Sequence, residues 1–324
     1  RRLPQTPSVR PSPDGWSAST CGPWACRPRG RRRSDRRIVP VSCRRWTIVS
    51  DQDITISSNP AYSQGAATPT APADGGSTID AGVLGRTLDR STSVTLQSKP
   101  TRTAFDDVNG SSAGNGVVFD FDAKVTKTEG RDVAFTVNSA RNVVMATGSG
   151  LRSDSGAINV DFNADAGGAA LAQTLPITLN GAGPRSASIL LQQASIESNG
   201  GNIRFYGQDD AAGGRAVGGV APNGDGFFAN GIQIGNSLVS TCARGVASCS
   251  GGGTISLRGQ GATGSLESTT VQGGVGVAVY GSTLRSGSGA ITLDGRGGLG
   301  ASGLATVEFG QGGVRSVTGS GTGD

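Results

Sequence analysis

Histidine is missing from all 324 residues of this chain, methionine occurs once, and aromatic residues make up only 5%. The first absence removes Ser-His-Asp chemistry, His-Cys thiol catalysis and most catalytic zinc sites, because each depends on an imidazole as base or ligand. Charged residues are scarce as well, at 16%, and no apolar run is long enough for a membrane-spanning helix. What replaces them is glycine. Its 54 residues, together with Asn, punctuate short runs rich in Val, Ile, Thr and Leu, which is the pattern of many short strands joined by tight turns. Helix is disfavoured nearly everywhere and the fold class expected is all-β.

The net charge of +5 sums two unlike segments. Residues 1–46 carry 12 Arg against two Asp, a net of +10, so residues 47–324 carry −5. All three tryptophans (Trp16, Trp24, Trp46) and three of the five cysteines (Cys21, Cys26, Cys43) also fall in the basic segment. Such a segment is either an arm that neutralises phosphates or non-native sequence, as GC-rich DNA yields in the wrong frame. The abrupt change of style at Thr47 and the lack of an initiating Met or apolar export region favour the second reading. Neither an aromatic pattern nor a recognition helix accompanies the arginines, so no nucleic-acid partner is expected and the segment is read as disordered.

From Thr47 on, one template recurs. Leu151-Arg-Ser-Asp-Ser-Gly-Ala-Ile-Asn-Val returns as Ile196 to Phe205 and again as Leu284 to Leu293. Leu151, Ile196 and Leu284 start the copies; Gly156, Gly201 and Gly289 follow five residues later; Ile158 and Val160, Ile203 and Phe205, and Ile291 and Leu293 close them. A fourth copy leads from Val239 and Ser240 into an insertion and resumes at Gly253, Ile255 and Leu257. A fifth starts at Val314, Ser316 and Gly319, and "VRSVTGSGTGD" stops inside it, which predicts an uncapped last coil.

Starts at 151, 196, 239 and 284 lie 45, 43 and 45 residues apart. Each gap holds further strand candidates, among them Ile177 and Leu179, Ile232 and Ile234, and Val277 and Val279. The period is read as two coils of roughly 22 residues, the range of a parallel β-helix whose rungs stack about 4.8 Å apart. In such a solenoid an apolar face is buried only against equivalent residues of adjacent coils, so the template must return at the same place in each. Alternation in "VVFDFDAKV" assigns Val117, Phe119, Phe121, Ala123 and Val125 to the inner face, with Asp120, Asp122 and Lys124 outside. The corner glycines Gly156, Gly201, Gly253 and Gly289 are expected where tight turns need positive φ.

The stretches "VTKTEGRDVAFTVNSARNVVM", "GLRSDSGAINVDFNADAGGAA" and "ASIESNGGNIRFYG", with "DITISSNP" and "DGGSTIDAGVLGRTLDRSTSVTLQS", resemble the repeat region of filamentous haemagglutinin-like exoproteins, adhesins exported by two-partner secretion. The likeness spans about Thr47 to the end. It implies a right-handed parallel β-helix, secreted or on the bacterial surface, that attaches to host cells or other bacteria, with an outer-membrane secretion pore as partner. The family's secretion domain with its Asn-Pro-Asn motifs is absent, Asn59-Pro60 being followed by Ala61, so the chain is read as an interior piece truncated at both ends. The resemblance implies no cofactor and a non-catalytic rod, or a passive stalk carrying a distal tip or toxin domain.

The enzymatic alternative is a β-helical polysaccharide-cleaving enzyme of the pectin-lyase type. Its best carboxylate pairs are Asp106-Asp107 and Asp209-Asp210, both in Gly-, Asn- or Ala-rich loop contexts without a supporting basic cluster. Asp161, Asn163 and Asp165 in "DFNADAGG" resemble the start of a calcium loop. Ala166 and Ala172 occupy the positions of its turn glycine and bidentate acid, so solvated turn residues are the stronger reading. Haem has no histidine to hold it. Cys242 and Cys249 bracket "ARGVAS" in the inserted fourth copy and are either a local disulfide or two buried or free thiols, since spacing alone does not fix their Cα separation. Receptors or glycans are expected to meet extended faces and excursions: the Asp209–Asn230 segment with Phe227 and Phe228, and the cysteine loop. Only Tyr62, Tyr206 and Tyr280 follow Trp46 as rings for stacking apart from phenylalanines, which predicts shallow, multivalent contact.

Overall fold

The computed structural model describes residues 45–51, 53–58, 77–98, 116–166, 186–218, 229–246, 249, 251–261, 275–297, 304–305 and 316–320. They open with β1 (Arg45–Ser50), β2 (Ile54–Ser57), β3 (Ser77–Asp80), helix α1 (Ala81–Asp89) and β4 (Ser93–Ser98). A triplet of strands then repeats. The first is β5 (Val117–Phe119), β6 (Lys124–Lys127) and β7 (Val133–Ser139); the second is β8 (Val143–Met145), β9 (Gly150–Ser153) and β10 (Ile158–Ala164). The third comprises β11 (Ser186–Gln192), β12 (Ser195–Glu197) and β13 (Ile203–Gly207), followed by a two-residue β14 (Ala216–Val217). Next come β15 (Ala229–Gly235), β16 (Leu238–Ser240) and β17 (Ile255–Gln260), and then β18 (Val277–Tyr280), β19 (Thr283–Arg285) and β20 (Ile291–Arg296). Strands β21 (Leu304–Ala305) and β22 (Ser316–Ser320) complete the described set.

Each member of the triplet joins its own parallel sheet. Sheet A runs β1, β4, β7, β10, β13, β17, β20, β22; sheet B runs β3, β2, β5, β8, β11, β15, β18, β21; sheet C runs β6, β9, β12, β16, β19. The chain therefore winds through B, C and A and climbs one rung per turn, forming a right-handed parallel β-helix. Its core is a set of files along the axis. Val125, Leu151, Ile196, Val239 and Leu284 pair successively in sheet C. Phe162, Phe205, Leu257 and Leu293 do so in sheet A, and Phe119, Met145, Leu191, Ile234 and Val279 in sheet B. All belong to one buried cluster, and Phe162 stacks on Phe205 with ring centroids 5.1 Å apart. At roughly 1.5–3 kcal/mol per buried aliphatic side chain, no rung is stable by itself and adjacent rungs supply the burial.

The register corrects the coil length. Leu151, Ile196, Val239 and Leu284 occupy adjacent rungs, so a period of 43–45 residues is one coil. The lean coil is 26 residues, from Val125 to its partner Leu151. Longer coils are lengthened mainly between a sheet A strand and the next sheet B strand, as from Ala164 to Ser186 and from Gly207 to Ala229. Ile177 and Leu179 lie in such a connection, outside the described residues. Glycine-rich excursions and short strands share a composition, so their spacing could not be separated from that of coils.

At the corners the polar template has a specific use. Ser153, Ser198 and Ser286 are buried, and their hydroxyls donate to the carbonyl oxygens of Gly156, Gly201 and Gly289 at 2.7, 2.6 and 2.5 Å. Thr241 donates equivalently to Gly253 at 3.2 Å. Each bond satisfies a carbonyl that the turn removes from the ladder. Among the four glycines only Gly156 has positive φ, at 68°. The others are glycine for closeness: a Cβ on Gly201, Gly253 or Gly289 would collide with the carbonyl of Ile158, Gly201 or Gly253 in the preceding coil. The alignment of Ile158 with Ile203 is also revised, since Ile203 pairs with Val160 and Ile158 pairs with Val133. Val160 follows Leu151 by nine positions whereas its partner Ile203 follows Ile196 by seven, and a shift of two keeps Ile158 and Val160 inside.

Four further expectations change. Phe121 is 36% exposed whereas Phe119 is fully buried, because a corner with Asp122 at φ 55° interrupts the alternation between β5 and β6. Helix α1 departs from the all-strand reading. Asp80 caps it by accepting the Val83 N–H at 2.8 Å, and Ala81, Leu84 and Leu88 form its buried face. It packs along β6, the outermost described strand of sheet C, where a Cβ on Gly85 would lie 2.5 Å from the Thr126 carbonyl oxygen. Trp46, grouped with the basic segment by composition, lies in β1 and packs on the core; residues 1–44 are outside the described set. Ser316 and Gly319 pair with Thr292 and Gly295 in sheet A, so the fifth copy does not continue the sheet C file. In that register Val317 pairs with Leu293.

Candidate functional site

Strand alternation turns a polar file outward on sheet A, and stacking brings together residues far apart in sequence. Asp161 and Arg204 are paired neighbours, joined by two hydrogen bonds from Nε at 2.5 Å and Nη2 at 2.8 Å. The Asp161 hydrogen bond raises the Arg204 pKa against the opposing effect of burial. One file over, Asn163 faces Tyr206, whose phenol is pushed up by burial and then by Asp161. Arg215 Nη2 donates to Asp294 at 2.5 Å from 79 positions away in sequence.

A tight turn after β13 closes over this face. Gln208 and Asp209 adopt φ of 60° and 57°, an uncommon conformation for side-chain-bearing residues. Asn163 Nδ2 donates to Asp209 Oδ1 at 2.6 Å, and Asp210 Oδ1 accepts the Ala212 N–H at 2.8 Å. The N–H groups of Ala212 and Gly213, followed by the Arg258 charge, hold the Asp210 carboxyl below its ordinary value. These two carboxylates thus have separate duties, one holding Asn163 and the other capping its own turn. Asp106, Asp107, Phe227, Phe228 and Tyr62 lie outside the described residues.

The three residues considered for calcium have the following surroundings. Asp161 is committed to Arg204, Asn163 is buried and bonds to Asn138 and Asp209, and Asp165 is buried at φ 53°, its N–H donating to the Arg141 carbonyl. No group of three or more Cys, Asp or Glu able to hold a metal ion occurs among the described residues.

Two features mark the C-to-A corner. Cys242 and Cys249 form a disulfide with Cα atoms 5.6 Å apart. It closes the inserted loop against the next coil, where Arg285 Nη1 donates to the Val246 carbonyl at 2.7 Å. Lys127 occupies the place of the repeating serine, paired with Ser153. Its Nζ, in a fully buried residue, donates to the Gly130 carbonyl at 3.2 Å and also to that of Ser155. Burial lowers its pKa, and Asp89 and Asp132 oppose that effect.

Sequence reasoning missed Arg204, Arg215 and Asp294 as one polar face, and no local signal could have found them, since their neighbourhood is created by stacking. Comparisons with family models, curated proteins and solved structures find no match to this chain. The β-helical fold is compatible with an adhesive rod or a carbohydrate-active enzyme.

Proposed function

We propose that the chain is part of a filamentous haemagglutinin-like adhesin, secreted or displayed on a bacterial surface, whose rod attaches to host cells or other bacteria without catalytic turnover. The observation that carries this reading is the stacking of coil upon coil with excursions left to the corners between sheets. An apolar interior is repeated rung after rung, and outward variation is left to polar faces and loops, an arrangement suited to extended multivalent contact. Support also comes from Asp209 and Asp210, whose carboxylates are occupied in holding Asn163 and the 210–214 turn. Receptors or glycans on the target surface are the partners in this reading, and the family resemblance adds an outer-membrane pore for export.

The deciding experiment pairs attachment with turnover. Beads coated with the full chain are expected to bind cells, and acidic and neutral polysaccharides incubated with it are expected to release no oligosaccharide. Product release that disappears on replacing Asp209 and Asp210 by Asn would establish the polysaccharide-cleaving alternative instead.

A further inference from the structure

The loop closed by Cys242 and Cys249 leaves the coil between β16 and β17 and carries the exposed residues Arg244, Gly245 and Val246. Val246 is 38% exposed, and nothing lies within 4 Å of the place a Cβ on Gly245 would take. No hydrogen bond or ion pair among the described residues engages the Arg244 guanidinium. The backbone itself is tightly bent. The Val246 N–H donates to the Ala243 carbonyl at 3.2 Å and Gly245 has φ of 71°, while Arg285 Nη1 holds the Val246 carbonyl from the next coil at 2.7 Å. Cys242 and Cys249 are seven positions apart, so their bond fastens both flanks of this turn.

We infer that the Arg244–Gly245 bond is a cleavage site for an arginine-specific serine proteinase and that the disulfide guards it. An exposed, unpaired guanidinium followed by glycine suits a specificity pocket floored by a carboxylate, and exposed loop tips with small residues are where chains are nicked. A proteinase cleft takes its substrate as an extended strand, whereas the positive φ of Gly245 bends the chain at the scissile bond. The cross-link keeps it bent. Reduction by a dithiol passes two electrons and two protons to the cystine, leaving two thiols and converting the dithiol to its disulfide. The turn is then restrained by the Val246 contacts alone and can open. Hydrolysis adds water across the peptide bond, its OH going to the Arg244 carbonyl carbon and its H to the Gly245 nitrogen. The severed ends stay seated, since β16 lies between β12 and β19 and β17 between β13 and β20. The site goes beyond the adhesive reading and does not depend on what the rod attaches to.

The test uses the full chain in three forms: oxidised, reduced with its thiols capped by iodoacetamide and the reductant removed, and carrying Cys242→Ser with Cys249→Ser. Each is treated briefly with trypsin, and mass spectrometry follows the new ends at Arg244 and Gly245. Cleavage of this bond is expected to be at least about tenfold faster in the capped and double-serine forms than in the oxidised one, because the rate follows the population of the open loop. Arg244→Gln in the double-serine background should abolish these ends, and circular dichroism of all forms should match. Cleavage after the arginines and lysines of residues 116–166, away from the loop, should not change. Equal rates at Arg244–Gly245 in the three forms, no cut there in any of them, or a rise shared with residues 116–166 would overturn the inference.

Discussion

Gly253 passes so close to Gly201 of the preceding coil that a Cβ on Gly253 would overlap the Gly201 carbonyl oxygen. Gly251, two residues earlier, has nothing within 4 Å of the equivalent position and no positive φ. Gly253→Ala should therefore cost about 2–4 kcal/mol, while Gly251→Ala should stay within about 0.5 kcal/mol of the parent. Urea denaturation of both variants checks the contrast, and equal losses would show that the coils can separate at this corner.

Phe119 and Phe121 lie two residues apart, yet one is interior and the other exposed. Phe119→Ala should lose about 3–5 kcal/mol through the cavity left among Phe135, Phe162 and Met145. Phe121→Ala should change stability by less than about 0.5 kcal/mol. The comparison measures where the chain turns from sheet B to sheet C.

Lys127 supplies a pH dependence. Its folded pKa is depressed below 10.5, chiefly by burial, so the unfolded chain binds more protons between the two values. Stability should rise with pH across that alkaline window and level off once both states are neutral. Lys127→Ser restores the hydroxyl found at Ser153 and removes the titrating group. The difference in unfolding free energy between parent and variant, followed from neutral pH upward, should shift in favour of the parent; a constant difference would count against a buried amine.

The Cys242–Cys249 bond closes a short loop, and its reduction should lower stability by about 2–3 kcal/mol on the chain-entropy estimate. Gly287 makes the loop's seating testable, because a Cβ there would lie 2.5 Å from Cys249 Sγ and φ is 59°. Gly287→Ala should destabilise the oxidised protein and speed reduction of the disulfide, measured by thiol titration under dithiothreitol.

Much of the interior was legible in the chain. Leu151, Ile196, Val239 and Leu284 recur because each must be buried by its equivalent in the next rung, and that demand writes itself as a repeat. Ser153, Ser198 and Ser286 recur for a related reason, since each must satisfy the carbonyl of a corner glycine. Coil length was not legible, because excursions made of Gly, Ala and Thr carry the same letters as strands and turns. Helix α1 was overlooked although Asp80 with Ala81, Leu84 and Leu88 gave a cap and an apolar stripe; two glycines within it masked the pattern.

By itself the sequence determined that the chain is built from stacked strands and which side chains point inward, because burial of an alternating face is a local and periodic requirement. Only the tertiary structure decided how many residues make a turn, which glycines exist for closeness and not for φ, and which outer groups meet. Those outcomes depend on contacts between rungs, where residues as distant as Arg215 and Asp294, or Gln192 and Tyr280, become neighbours through the winding alone.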